Sequence, residues 1–242
     1  MNLKYSIIIP TLNEEKLLPG LLGSLCNPAL KSRFDYEVIV SDGGSTDRTL
    51  EIAGEHCDKV VRYEKGEARS ISACRSKGAK SASGENLLFI NADVKFDVER
   101  LFSTAEMKFA SDGYVAMTCP IRCVPEQEKL SDRCFSAVCN VYYYFSNLAG
   151  RGMARGEFQV IRREVYEKAG GYREELITGE DFDLFTRVRK HGKTLFTWAA
   201  TVYESPRRYR AWGYWRTISA WLLSSLPLIK LKRIYKNWEA IR

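Results

Sequence analysis

The chain reads as an α/β protein built on a mostly parallel central sheet, and three observations predict this. Short apolar runs at Tyr5–Ile9, Tyr36–Ser41 and Leu87–Ile90 alternate with helix-length amphipathic stretches, the rhythm of βαβ units. Each run ends in a polar tip: Pro10-Thr11-Leu12-Asn13, Asp42-Gly43-Gly44-Ser45 and Asn91-Ala92-Asp93. The 242 residues are 45% hydrophobic and no linker or repeat divides them, enough for one packed core.

Taken in order, the first strand leads into a helix from Glu14 to about Leu25, with Leu17, Leu18, Leu21, Leu22 and Leu25 on one face. Asn27-Pro28 breaks that helix. After the second strand, Ser45 or Thr46 caps a helix through His56. Val60-Val61 is a short third strand, Ala68–Ser81 a helix, and Gly84 turns the chain into Leu87–Ile90. Right-handed crossovers then line Thr11, Asp42 and Asp93 along one rim of the sheet, where ligands of such sheets bind. Further on, Tyr114–Ile121 and Phe158–Ile161 read as strands, Glu126–Phe145 and Arg163–Lys168 as helices, and Gly170-Gly171-Tyr172 as a turn. Thr178-Gly179-Glu180-Asp181 introduces a helix to about His191, Thr194–Trp198 is a strand, and the chain from Tyr209 is helical and amphipathic.

The net charge of +7 is uneven: from Pro206 to Arg242 nine Lys/Arg face Glu239 alone, a balance of +8, leaving −1 for residues 1–205. That asymmetry points to an anionic partner for the tail. Neither Thr217–Ile229 nor Cys134–Gly150 reaches the ~20 apolar residues of a membrane span, so a tail lying in a membrane interface, or packed on the protein, is the expectation. No nucleic-acid motif accompanies the charge, and no nucleic acid is expected as partner. No signal peptide is read at Met1–Tyr5, and seven cysteines, an odd number, favour reduced thiols. A cytoplasmic protein, peripheral at the inner face of the membrane, is expected. A zinc site at Cys119, Cys123, Cys134 and Cys139 is disfavoured by loose spacing, and His56 and His191 lie at helix ends.

Several positions carry chemistry. Asp42 before a glycine pair can accept hydrogen bonds from a base or ribose, while Gly43-Gly44 allow close backbone approach. Asp93 at an apolar strand mouth calls for a positive partner such as a phosphate-bound divalent cation; alternatively, Asp93 or Asp97 caps the helix starting near Val98. Asp181 is a carboxylate suited to draw a proton from a hydroxyl, or the last member of a capping box with Thr178. No G-x-G-x-x-G follows the first strand and no Walker sequence occurs, which argues against a dehydrogenase and a P-loop enzyme.

The ordered set Ile7–Glu15, Val38–Thr49, Phe89–Asp93, Gly170-Gly171-Tyr172 and Gly179–Leu184 resembles the family 2 glycosyltransferases of the GT-A fold, over about residues 4–205. The resemblance implies one Rossmann-like nucleotide-diphospho-sugar transferase domain at 1–205, with a nucleotide-binding half at 1–95 and an acceptor-side half at 96–205, followed by a basic amphipathic helical tail at 206–242. It implies an inverting glycosyltransferase of the hexosyltransferase kind. A nucleotide-diphosphate sugar such as a UDP-sugar is the donor, and a glycan or lipid-linked molecule the acceptor. Pro10, Thr11, Asn13 and Glu14 would line the nucleotide pocket, Asp42 would hold the base, and Arg69 would approach base or diphosphate. Asn91, Ala92 and Asp93 take the family's D-x-D place, which binds Mn²⁺ or Mg²⁺ on the donor diphosphate. With Asn91 in the first place, Asp93 is the main protein ligand. Asp181 would be the general base, with Glu180 and Gly171 beside it. Arg207, Arg208 and Trp212 fall where some relatives bind phosphate. Two alternatives stand beside this: a non-catalytic nucleotide-sugar-binding protein, and a polyprenyl-phosphate glycosyltransferase that needs no base.

Overall fold

The computed structural model describes residues 4–63, 70–110, 113–176 and 178–225. In chain order these form β1 (Tyr5–Thr11), α1 (Leu18–Leu25), α2 (Pro28–Phe34), β2 (Tyr36–Asp42), α3 (Thr49–His56), β3 (Lys59–Arg62), α4 (Ile71–Ser81), β4 (Asn86–Ile90), β5 (Val94–Phe96) and α5 (Val98–Phe109). There follow β6 (Tyr114–Thr118), β7 (Ile121–Cys123), α6 (Leu130–Leu148), β8 (Phe158–Arg162), α7 (Arg163–Lys168), α8 (Glu180–Val188), β9 (Lys193–Phe196), β10 (Val202–Glu204), α9 (Arg207–Trp212) and α10 (Tyr214–Ser225).

A seven-stranded sheet in the order β3-β2-β1-β4-β8-β6-β9 carries the fold, and β5-β10-β7 make a second, three-stranded sheet. Every neighbouring pair in the large sheet is parallel except those made by β8, which runs against β4 and β6. Ile7, Ile8, Ile9, Val38, Ile39, Val40, Leu88 and Phe89 are wholly buried, as expected of central strands covered by helices on both faces. Thr11 and Asp42 are register partners at the ends of β1 and β2, and Asn91–Asp93 continue from β4 beside them.

The elements depart from expectation where local hydrogen bonds outrank periodicity. α1 begins at Leu18, not Glu14, because the Glu14 and Glu15 amides donate to Thr49 Oγ1 and Asp47 Oδ2, and Pro19 sits in the first turn. Asn27-Pro28 starts a helix as well as ending one: Asn27 Oδ1 accepts from the amides of Ala29 and Leu30, capping α2. Neither Ser45 nor Thr46 caps α3, since their groups bond to Asp42 and Asn13 and the helix waits until Thr49. The run Tyr114–Ile121 splits at Pro120, so its second part, β7, joins the small sheet. Asp97, not Asp93, caps α5 through the Arg100 amide.

The described start of the 206–242 segment is built into the domain. Tyr209 is buried against Phe135, and Arg210 and Tyr214 both bond to the buried Asp132. Residues 226–242 lie outside the described residues, as does Arg69.

Gly84 marks how closely the first half packs. Its amide donates to Ser6 Oγ at 2.7 Å, and a Cβ there would stand 2.4 Å from the Tyr5 carbonyl carbon. Backbone at that distance cannot yield as a side-chain tip does. Gly84→Ala is therefore expected to cost about 1–3 kcal/mol by forcing β1 and β4 apart. A thermal melt checks this: Tm should fall, and an unchanged Tm would show that the strands accommodate the methyl.

Candidate active site

The loops after β1 and β2 are bonded into one unit. Asp42, wholly buried, accepts from Thr11 Oγ1 at 3.0 Å, from the amides of Gly44 and Ser45 at 2.8 Å each, and from Ser45 Oγ. Asn13 holds a left-handed backbone (φ 57°) and its Oδ1 accepts from the Thr46 amide at 2.8 Å. Asp42, expected to hold a base, thus spends its carboxylate on closing the loop. Pro10 and Thr11 are buried in the same floor, and Ala92 packs its methyl into the core under it.

Beside this floor stands Arg75 of α4, 1% exposed and bonded to three other parts of the fold. Its Nη1 donates to Asp181 Oδ1 at 2.6 Å and Glu180 Oε1 at 2.9 Å; its Nη2 donates to Asn91 Oδ1 and the Gly156 carbonyl, each at 2.9 Å. The Tyr172 ring lies 5.4 Å from the guanidinium. Asparagine at 91 now has a reason: one cation already serves two carboxylates, and a third would stand unpaired in a buried site, whereas an amide oxygen accepts without adding charge. Gly156 is required by contact, for a Cβ there would sit 2.2 Å from Arg75 Nη2 and 2.7 Å from Asp181 Oδ2.

No capping box forms at Thr178. Gly179, in a left-handed conformation, precedes α8, and the Asp181 carboxylate turns to Arg75 instead. A charged bond to a guanidinium outweighs a neutral cap in a buried place. Burial raises the pKa of both Glu180 and Asp181, against the pull of Arg75. Nearby, Arg155 pairs with Glu157 at 3.2 Å and with Glu204 at 2.7 Å, all of them buried. Glu157 presses the Asp181 pKa further up, and the more distant Arg208 charge draws it down.

Arg207 is bonded to the strand tips. Arg207 Nη2 donates to Glu14 Oε1 at 2.5 Å, and Nε to Asp93 Oδ2 at 3.2 Å. Two carboxylates from different strand ends thus converge on one cation. Hard oxygen donors so placed also fit Mn²⁺ or Mg²⁺, which take few protein carboxylates and fill the shell with phosphate and water. Among the described residues no cluster of three or more acidic, His or Cys side chains gathers, so any such ion would depend on ligand oxygens.

The expected residues therefore fall into linked groups: Thr11, Asn13 and Asp42 in the floor, Glu14, Asp93 and Arg207 at one wall, and Asn91, Glu180 and Asp181 on Arg75. Gly171 shapes a turn against the Tyr166 ring and delivers Tyr172 to Arg75. Trp212 ends α9, half-buried. Sequence reasoning missed Arg75, Gly156 and Glu157. Arg75 sat in plain view as a helix cation; its spacing on α4, one turn before Gly78 against β1, was the available signal.

The family description "Glycosyl transferase family 2" matches residues 6–170. A dolichyl-phosphate beta-glucosyltransferase of Mus musculus is 32% identical over 183 residues, 67% of this chain and 56% of that protein. A beta-monoglucosyldiacylglycerol synthase of Nostoc is 26% identical over 98% of this chain and 54% of its own length. The chain spans about half the length of these curated relatives. Among solved structures, the mannosyltransferase PcManGT of Pyrobaculum calidifontis, in complex with GDP-Man and Mn²⁺, superposes with a TM-score of 0.69 at 21% identity, covering 93% of this chain and 63% of that one. S. aureus TarS superposes with a TM-score of 0.63 at 20% identity, over 94% and 41%. With the family profile covering most of the chain and the fold shared with such transferases, this protein belongs to glycosyl transferase family 2.

Proposed function

We propose that the chain is an inverting glycosyltransferase that moves a sugar from a nucleotide-diphosphate sugar to a lipid-linked or glycan acceptor. The observation that carries the reading is Asp181, held by Arg75 beside the Asn91–Asp93 tip. Names of relatives support the substrate classes: GDP-Man and UDP-GlcNAc are bound in two structural neighbours, and two curated relatives are named for dolichyl phosphate or diacylglycerol products.

The loops of Pro10–Glu14 and Asp42–Thr46 receive the nucleotide, and Arg69 is assigned to its base or diphosphate. Asp93 and Glu14 would hold a divalent cation, which would supply positive charge against the diphosphate. Arg207 turns its guanidinium to the departing diphosphate, where positive charge lowers the barrier most. The acceptor hydroxyl attacks the anomeric carbon opposite that leaving group. Asp181 takes its proton while its Oδ1 stays on Arg75. Glu180 and Tyr172 keep Arg75 in place, and Arg208, with Trp212 beyond it, borders the acceptor side. The protein works in the cytoplasm at the membrane's inner face. No helix among the described residues is long and apolar enough to cross a membrane.

A second reading, transfer to a polyprenyl phosphate, is supported by the curated relatives named for dolichyl phosphate. Such an acceptor is already anionic and needs no base.

Asp181→Asn is expected to keep donor binding, read as a thermal shift with UDP- and GDP-sugars, and to lose about 10²-fold or more of transfer to a hydroxyl acceptor. Undiminished transfer to hydroxyl acceptors would end the general-base assignment; undiminished transfer to a polyprenyl phosphate alone would select the second reading. Because the base works deprotonated and its pKa is raised by burial, the acid limb of the rate–pH profile should lie above the ordinary aspartate range. Glu157→Gln, which removes a neighbouring negative charge, should move that limb to lower pH. Finally, the extra thermal stabilisation that Mn²⁺ adds to a bound donor should vanish in Asp93→Ala and on chelation by EDTA.

A further inference from the structure

Helix α6 is inside out. A surface helix normally turns its apolar stripe to the core and its polar residues to water. Here the buried side of α6 carries Asp132, Ser136, Asn140, Ser146 and Asn147 along with Phe135, Cys139 and Tyr143. The exposed side from Cys134 onward is Cys134, Ala137, Val138, Val141, Tyr142, Phe145, Leu148 and Ala149, without a charged side chain. Val138 is 64% exposed, Phe145 59% and Leu148 70%.

Polar bonds hold the helix in this orientation. Asn140 donates to and accepts from the Ile121 backbone at 3.0 Å each way, matching the edge of β7. Asn147 bonds to Tyr143, to both backbone groups of Met153 and to Thr194. Asp132 takes Arg210 and Tyr214. With the inner side fixed by these directional bonds, an apolar stripe of some ~24 Å, at 1.5 Å per residue, remains turned outward. Contiguous surface of this kind marks an interaction site.

Aromatic residues bound for an interface stand at both ends. Trp198, 54% exposed, packs on Tyr144 near the helix end, and Trp215, 85% exposed, follows Tyr214, whose hydroxyl bonds to Ser131 in the first turn. Exposed cations flank the stripe in the same way: Lys129 and Arg216 at the beginning, Arg151 at the end. The basic segment 206–242, net +8 in sequence, passes this edge at Tyr214.

We infer that the outer face of α6, with Trp198 and Trp215, docks on an anionic lipid bilayer. An apolar stripe with Trp and cations at its margins matches the acyl boundary and headgroups of such a surface. A second copy fits less well, because pairing the face with itself in either direction sets cationic ends against cationic ends. The buried side places the docked face one helix thickness from the site, since Tyr143 stacks on Phe182, next to Asp181. The inference deepens the lipid-linked branch of the proposed function and rests on it for its purpose, though not for its test.

The test is sedimentation of the full chain with vesicles of phosphatidylcholine alone and with a share of phosphatidylglycerol, comparing wild type, Val138→Asp and Phe145→Asp. Both positions are exposed, so Tm and the thermal shift with donor sugars should not change. The wild type should partition to anionic vesicles, and each variant should lose at least about tenfold of that partition, as expected for putting a charge into the acyl boundary. Variants that bind vesicles as well as wild type, or a wild type that ignores anionic vesicles while still binding donor, would overturn the inference and leave the transferase reading standing. A concentration-dependent dimer that Phe145→Asp dissolves would overturn it in favour of a second copy. Absence of any donor shift with intact vesicle binding would instead fail the proposed function and support the docking face.

Discussion

A buried arginine must be answered by negative charge or by oxygens from all sides, and this requirement organises the molecule. Arg75 cannot give up its proton and is shut off from water, so the tip of β4, the approach to β8 and the start of α8 each give it an acceptor. Removing any one acceptor leaves a charged donor unpaired in a place where that is expensive. The acid pair of α8 is thereby fixed to the same point as the Asn91–Asp93 tip. Precision at the site comes from this shared cation more than from the loops around it.

The sheets bring the partners there. Parallel strands deliver Thr11, Asp42 and Asn91 to one rim because their ends share a direction. β8 runs the other way, so it is its beginning that arrives at the rim, bringing Arg155, Gly156 and Glu157. The small sheet adds the last component: pairing of β10 with β5 sets Glu204 opposite Val94, and the chain leaving β10 carries Arg207 to Asp93 and Glu14. Arg207 thereby ties the carboxylates of two strand tips to the chain that leaves the small sheet.

Much of this was legible in the residues. The alternation of apolar runs and amphipathic stretches located β1, β2, β4 and β8, since buried strands have no other way to read. Polar tips at Thr11, Asp42, Asn91–Asp93 and Glu180-Asp181 were legible because charge is costly at such places unless it serves something. What escaped was long-range pairing. Arg75 looks in sequence like any helix cation, as its partners lie up to 106 positions away. Gly156 escaped because the rule of searching strand ends passes over the start of an antiparallel strand. The true first turns of α1 and α3 escaped for a smaller reason: Asp42, Asn13 and Asp47 capture the side chains and amides that would otherwise have begun those helices.

The two kinds of tie differ in reach along the chain. Those that knit the nucleotide floor close loops of 31 to 35 residues within the first third of the protein. Those that seat the acid pair close loops of 105 and 106. Chain entropy charges the longer closures more, if only slowly with length. An amino-terminal fragment therefore contains the partners that knit the floor but none of those that seat Glu180 and Asp181, so the two halves of the site are joined only when the whole polypeptide folds.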